Sequence, residues 1–462
     1  LINNTNSWDL IPMNNSRRKS YCVRMGVCTL VLWLTLVTSG LGASQTVNVT
    51  DEAPYEHFYL PIIVRKNIPA LLGVMDTSFS TDGMLVTDMG VYKESLAHAV
   101  AVQPDGKIVV AGEVDHLPVL IRYNANGSLD GSFGNGGVET NTVIGRGLAV
   151  QPDGKILVAG DYAEPTGDFV IVRHNPDGSL DTTFDWDGKV RTDFFGGTDV
   201  ARDMLLQADG NIIVTGYTSE GEDLVIARYE PDGDLDLNFS SDGKAAINHA
   251  GIERGGYVAL QPNGKIVVAG YTLASGQAEF MLVRFSSFGE VDIAFGQAGF
   301  VVTGFGTSTT GGYVLTDVAV QADGQILAVG DVAVGDSVIT IGLAAYTTDG
   351  RLDQFFDDDG LVVIGIAGGN HATSLTVQHD GKILLAGSTG YAGAENENFL
   401  VLRLDRYGSL DPSFGTGGWL MTDIMGADEI ITGLALQADG GLVAAGYASP
   451  GFDHFIVLAR YR

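Results

Sequence analysis

The chain has 462 residues, 45% of them hydrophobic, with 26 Lys+Arg against 56 Asp+Glu and a net charge of −30. That apolar content excludes a disordered chain, and a field of that sign repels nucleic acid and anionic lipid, so neither is an expected partner. Both cysteines, Cys22 and Cys28, lie near the N-terminus, so no disulfide framework supports the remainder.

In chain order, the first element reads as a targeting signal. Arg17, Arg18, Lys19 and Arg24 precede a mostly apolar run from Met25 to Val37, which is short for a span of about 20 residues. Small residues follow, with cleavage expected near Ala43 or Ser44 and Met13 as the initiator. Residues 1–43 are therefore assigned to upstream sequence plus a signal peptide, and the mature product to a secreted or cell-surface location without membrane insertion. Residues 44–73 form a lead-in. Its apolar stretch Tyr55–Lys66 contains Pro61, which removes a ladder donor and predicts an edge strand, or a segment packed across the propeller's side, that anchors the N-terminus.

From residue 74 to 462 the chain is one array. The hairpin Ala101-Val102-Gln103-Pro104-Asp105-Gly106-Lys107-Ile108-Val109-Val110-Ala111-Gly112 returns with its glutamine at Gln151, Gln207, Gln261, Gln321, Gln378 and Gln437. Pro pre-sets φ in the turn, Asp bonds to nearby backbone and Gly accepts a positive φ. A third apolar run ending in Arg, an acidic turn, a Phe and a fourth short run complete each unit. Four strands cannot bury both faces alone, so the units must stack. The predicted fold is all-β: a seven-bladed β-propeller of four-stranded blades, against the alternative of an open β-solenoid.

The array is offset. Six times an Arg-position residue precedes an Asp by eight, as in Arg122/Asp130 and Arg403/Asp411, whereas Arg460 has no Asp after it and Asp76 has no Arg before it. Residues 76–87 are therefore expected to close the ring against the C-terminal strands, with Asp76 beside Arg460. Blade 5 carries Ala345 in place of the Arg, which leaves Asp353 to find another partner or face solvent.

The block formed by Gln103–Lys107, Arg122-Tyr123, Leu129-Asp130 and Phe133, with its echoes, resembles the delta-60 repeat family over nearly the whole predicted mature chain. The resemblance implies propellers of the seven-bladed type in secreted bacterial proteins. It brings no shared catalytic residues.

Chemistry is sparse in the sequence. Asp185 and Asp187, and Asp357 and Asp359, flank acidic Gly-containing turns that could supply oxygens to calcium, the one candidate cofactor. The competing reading is Asx-turn chemistry, in which Asp caps its own backbone. The repeated Arg and Asp are too numerous for a catalytic set and read as structural ties. The eight histidines are scattered without zinc spacing, and no hydrolase elbow, phosphate loop or dinucleotide fingerprint occurs. Trp186 and Trp419 read as blade packing, with a sugar-stacking platform as the alternative. Rim loops, longer in the later repeats, are the expected place for an asymmetric site. The functional expectation is a monomeric, exported, non-enzymatic binding, adhesion or scaffold module with carbohydrate or extracellular protein as partner. The alternative is an extracellular polysaccharide hydrolase or lyase with acidic residues at the axis, for which no catalytic residue can be named.

Overall fold

The computed structural model describes residues 73–462, apart from short loop positions (91–92, 141, 162–166, 220–221, 248, 250, 274–276, 307–312, 335–337, 367–368, 392–396 and 452), together with three N-terminal strands. The chain divides into two compact units, residues 1–68 and 69–462. In the first, Leu10–Met13, Lys19–Met25 and Cys28–Leu34 pair as an antiparallel sheet. The edge strand expected around Pro61 lies outside the described residues.

The second unit is the seven-bladed propeller. Each glutamine hairpin opens a four-stranded antiparallel blade, and the first strands are Ser95–Val102, Ile144–Val150, Asp199–Leu206, Glu253–Leu260, Tyr313–Val320, Gly369–Val377 and Asp428–Leu436 for blades 1 to 7. These first strands touch their neighbours all the way round, blade 7 against blade 1 included, so they surround the axis. In the first turn Gly106, at φ 86°, donates its N–H to the Gln103 carbonyl at 2.9 Å. The second and third strands are continuous apolar runs because both their faces are covered by neighbouring blades: Ile108 to Ala111 and Leu120 to Ile121 are fully buried. Seven clusters of buried side chains result, each assembled mainly across a blade–blade contact.

Closure follows the offset read from the sequence. The fourth strand of blade 7 is Met84–Thr87, which pairs antiparallel with Phe455–Tyr461, Thr87 opposite Ile456 and Met84 opposite Ala459. Asp76 Oδ2 accepts from Arg460 Nε at 2.6 Å, and the Asp76 N–H donates to the Arg460 carbonyl at 2.8 Å. Tyr123 of blade 1 and Thr87 share a hydroxyl–hydroxyl bond at 2.7 Å across the seam. Tyr229–Thr192, Tyr346–Thr303 and Tyr461–Thr422 repeat that tie between other blades at 2.7 to 3.0 Å.

The Arg–Asp pairs form a second hoop. Arg122, Arg173, Arg228, Arg284 and Arg403 each donate Nε to their Asp at 2.7 to 2.9 Å. Each guanidinium also lies 4.5 to 4.8 Å from a buried Phe ring. From there it reaches the next blade: Arg122 donates to the Pro176 carbonyl, Arg173 to Pro231 and Arg460 to Ala125. Burial opposes ionisation of Asp130, Asp181 and Asp411, but bonds from Ser or Thr, Lys and Arg outweigh it and hold all three carboxyls well below the usual range. This is structural cross-linking, as expected from its repetition.

One glycine is required by close approach. Gly256 has φ 103°, its carbonyl accepts from Thr215 Oγ1 at 2.7 Å, and a Cβ there would lie 2.4 Å from the Gly216 Cα of blade 3. Gly256→Ala is expected to destabilise the propeller by roughly 3 kcal/mol or more, measured by urea denaturation. An unchanged midpoint would show that the blade 3–4 contact is looser than described.

Candidate functional site

Every first strand contains a β-bulge at the same place. The strand partners skip one residue each time: His98, Arg146, Arg202, Gly256, Thr316, Thr373 and Thr432. A bulge leaves its extra residue unpaired in the ladder and re-aims its side chain. Here six of the seven turn toward the axis and line one cavity of about 390 Å³, together with Asp203, Tyr257, Asp317 and Ser374. One backbone device thus delivers chemically different groups to one point.

The cavity is polarised. Blades 1 to 3 supply His98, Arg146 and Arg202; blades 5 to 7 supply hydroxyls. His98 Nε2 lies 3.1 Å from Glu113 Oε1. Burial, and then the neighbouring Arg146 charge, lower the His98 pKa, with Glu113 opposing. Arg202 donates to the Tyr217 hydroxyl at 3.4 Å. Thr316, Thr373 and Thr432 each donate to a carbonyl of their own blade at 3.2 to 3.3 Å, which leaves the hydroxyl oxygens able to accept. Tyr257 is pushed up to about 12 by burial, with Arg202 working against it and Asp317 and Asp203 adding to it.

Asp203 and Asp317 follow the bulges of blades 3 and 5. They keep part of their surface open to the channel and are enclosed by protein elsewhere, so burial dominates: Asp203 is raised to about 6, and Asp317 to about 7 with the Asp203 charge contributing. All four carboxyl oxygens accept a backbone N–H. Asp203 takes those of Met204 at 2.7 Å and Val258 at 2.9 Å, and Asp317 those of Val318 and Leu375, both at 2.7 Å. Each therefore clips its blade to the next.

Two of the four calcium candidates, Asp187 and Asp359, adopt the Asx-turn geometry that competed with that reading. Asp187 Oδ1 accepts from Lys189 N at 2.8 Å and Asp359 Oδ1 from Leu361 N at 2.9 Å. Asp185 and Asp357 sit at φ 43° and 46° and donate their N–H groups to Asp232 and Tyr407 carbonyls of the next blade. Among the described residues, the set that brings three carboxylate oxygens within 4.8 Å of one another is Asp168, Asp193 and Asp199, at the blade 2–3 junction. Burial and those two like charges raise Asp199 to about 6. The tryptophans part company: Trp419 begins the fourth strand of blade 6 and packs into its core, whereas Trp186 is 92% exposed in a turn and packs no blade. The packing expectation is thus corrected for Trp186, which sits in the turn after Phe184 at φ 66°, outside the strand that carries Trp419.

The bulge ring was missed in the sequence, although its signal is there. Each bulge residue stands five positions before the repeat glutamine, and that column reads His, Arg, Arg, Gly, Thr, Thr, Thr. A polar column that varies inside an otherwise apolar strand marks an inward-facing site.

Fold and site define a β-propeller repeat protein with a polar axial cavity. Six segments, residues 103–133, 151–184, 207–239, 261–295, 321–356 and 378–414, match the model of a β-propeller domain of unknown function, DUF5122. The remaining repeat is the split one, whose Asp and Phe stand at the opposite end of the chain. No curated protein matches the sequence significantly. Similar solved structures include a gluconolactonase from Xanthomonas campestris, 13% identical with TM-score 0.37 over 70% of this chain and 95% of that one. The polysaccharide lyase Uly1 is 12% identical with TM-score 0.44 over 79% and 89%. The N-terminal domain of Nup159 is 10% identical with TM-score 0.42 over 85% and 100%. These likenesses concern the fold.

Proposed function

We propose that the chain is an exported bacterial propeller of the delta-60 repeat type, and that it acts as a non-enzymatic binding module whose ligand enters the axial cavity. The observation that carries this reading is the bulge ring: it is the polar constellation that converges without repeating itself. Paired arginines suit a carboxylate or sulfate, and a facing arc of hydroxyls suits a polyol. The ligand class is accordingly an acidic saccharide. Binding is favoured over catalysis because each oxygen of Asp203 and Asp317 already accepts a backbone N–H at 2.7 to 2.9 Å, which ties both carboxyls into the cavity wall as clips between blades. A polysaccharide hydrolase or lyase is the second reading, and the observation favouring it is that Asp203 and Asp317, both raised by burial, line the same cavity as Tyr257.

Residues 45–462 should be screened against a broad glycan array, with calcium and with chelator. Binding concentrated on acidic saccharides, without product formation in solution, is the expected result. Chain cleavage abolished by Asp317→Asn would establish the enzymatic reading instead. Dependence on calcium would direct attention to Asp168, Asp193 and Asp199.

A further inference from the structure

The seven acidic residues of the Arg–Asp hoop provide an internal comparison. Asp130 is met by Arg122 and Lys107, Asp181 by Arg173 and Lys155, Asp292 by Arg284 and Lys265, and Asp411 by Arg403 and Lys382. Asp236 is met by Arg228, and Asp76 by Arg460 and Arg462. Asp353 of blade 5 departs from this pattern twice. Ala345 replaces the arginine and Gln325 replaces the lysine, so its hydrogen-bond partner there is the neutral Gln325 amide at 2.6 Å. Among the described residues it is the hoop carboxylate with no cation beside it.

The rest of the guanidinium site is intact. Phe356 is fully buried at the position of the rings that stack under the other arginines. It touches the blade 6 turn at Gly408 as Phe133 touches Gly178. The blade 6 residue matching Pro176 and Pro231, whose carbonyls accept from the other arginines, is Arg406, and it lines the space left open. That space is a cleft of about 410 Å³ bounded by Asp353, Gln325, Thr348, Arg406, Phe355 and Tyr407. Phe355 is 86% exposed and Tyr407 57% exposed, flanking the opening with aromatic surface.

We infer that this cleft is a binding site for a guanidinium group supplied from outside the chain, which completes in blade 5 the cross-tie that arginines make internally elsewhere. Asp353 presents the carboxylate and the exposed Phe355 ring offers a face for a planar cation. The Tyr407 ring is already covered by Arg406, whose charge is met by Asp323 at 3.1 Å, and the net charge of −30 draws basic ligands toward the surface. The site lies at the end of the blades that carries the Pro-Asp-Gly hairpins, and is independent of the axial cavity.

The test is titration calorimetry of the full chain with two probes: agmatine as a free small-molecule guanidinium, and an N-acetylated, amidated Gly-Arg-Gly tripeptide as a protein segment. Saturable binding of either supports the site, and the tighter probe identifies the source of the ligand. The Gly-Lys-Gly counterpart should bind at least about tenfold more weakly, because an ammonium lacks the planar fork. Ala345→Arg should abolish binding and raise the melting temperature by filling the site from within. Should that variant not fold, Asp353→Asn, at a partly exposed position, should weaken binding about tenfold. Absence of binding to the wild type, or equal binding by Asp353→Asn, would overturn the inference.

Discussion

Asp76→Ala is expected to cost about 3–5 kcal/mol, the range for leaving a buried charge without its partner. Asp76 and Arg460 are both nearly inaccessible, and the pair joins the two ends of the described propeller. Loss of the carboxylate strands the Arg460 guanidinium. It also removes the acceptor for Ser78, whose N–H and hydroxyl bond to Asp76 Oδ1 at 3.0 and 2.7 Å. Those bonds shape the turn that delivers Phe79 and then Met84–Thr87 to blade 7. Once that strand frays, the buried residues Ile456 and Leu458 become wet, and they belong to the same core as Ile108 and Val110 of blade 1. Arg462→Ala serves as the control: its ion pair with Asp76 is made by a half-exposed side chain and should be worth less than about 1 kcal/mol. Equal urea midpoints for Asp76→Ala and wild type would mean that the ring is held by its other contacts alone.

The second large effect is on stability against pH. Asp203, Asp317 and Glu253 are raised to about 6, about 7 and about 7, so between pH 4 and 7 the folded protein holds protons that the unfolded chain has released. Unfolding is then favoured as pH rises, and stability should fall from about pH 4.5 to 7.5. Asp130, Asp181 and Asp411 act oppositely. Their depressed pKa values give stability that is fully present above the unfolded value near 4 and is lost as pH falls below it. The melting temperature should therefore peak in mild acid. Asp317, whose rise is owed in part to the Asp203 charge, makes the largest contribution to the decline, on the order of a few kcal/mol. Asp317→Asn should flatten the slope even where it lowers stability, since its amide would confront a backbone N–H that the carboxylate accepts. A melting temperature rising steadily from pH 4.5 to 7.5 would show that these carboxyls ionise freely.

The architecture was legible because repetition multiplies a weak signal. One Gln-Pro-Asp-Gly turn is a hairpin, seven are a ring, and the unmatched Asp76 and Arg460 locate the cut. The site was not legible by the same route. Its residues come from seven distant segments and meet only after closure, and the mark the bulge leaves, a varying and mostly polar residue five positions before each repeat glutamine, does not say that those side chains converge. Rim loops drew attention through their length, yet the convergent groups lie on strands. Ala345 was visible as a departure, but its consequence depended on Gln325, which lies in the hairpin turn before a different strand and replaces the second cation.

The most direct test of the axial site is the affinity of the best acidic saccharide from the array for wild type, Arg146→Ala and Arg202→Ala, measured by calorimetry with melting temperatures as the folding control. A loss of tenfold or more in each variant, with melting temperatures unchanged, is the expected result, consistent with charge-assisted bonds worth about 1.5–3 kcal/mol. Undiminished affinity in both correctly folded variants would place the ligand elsewhere on the propeller.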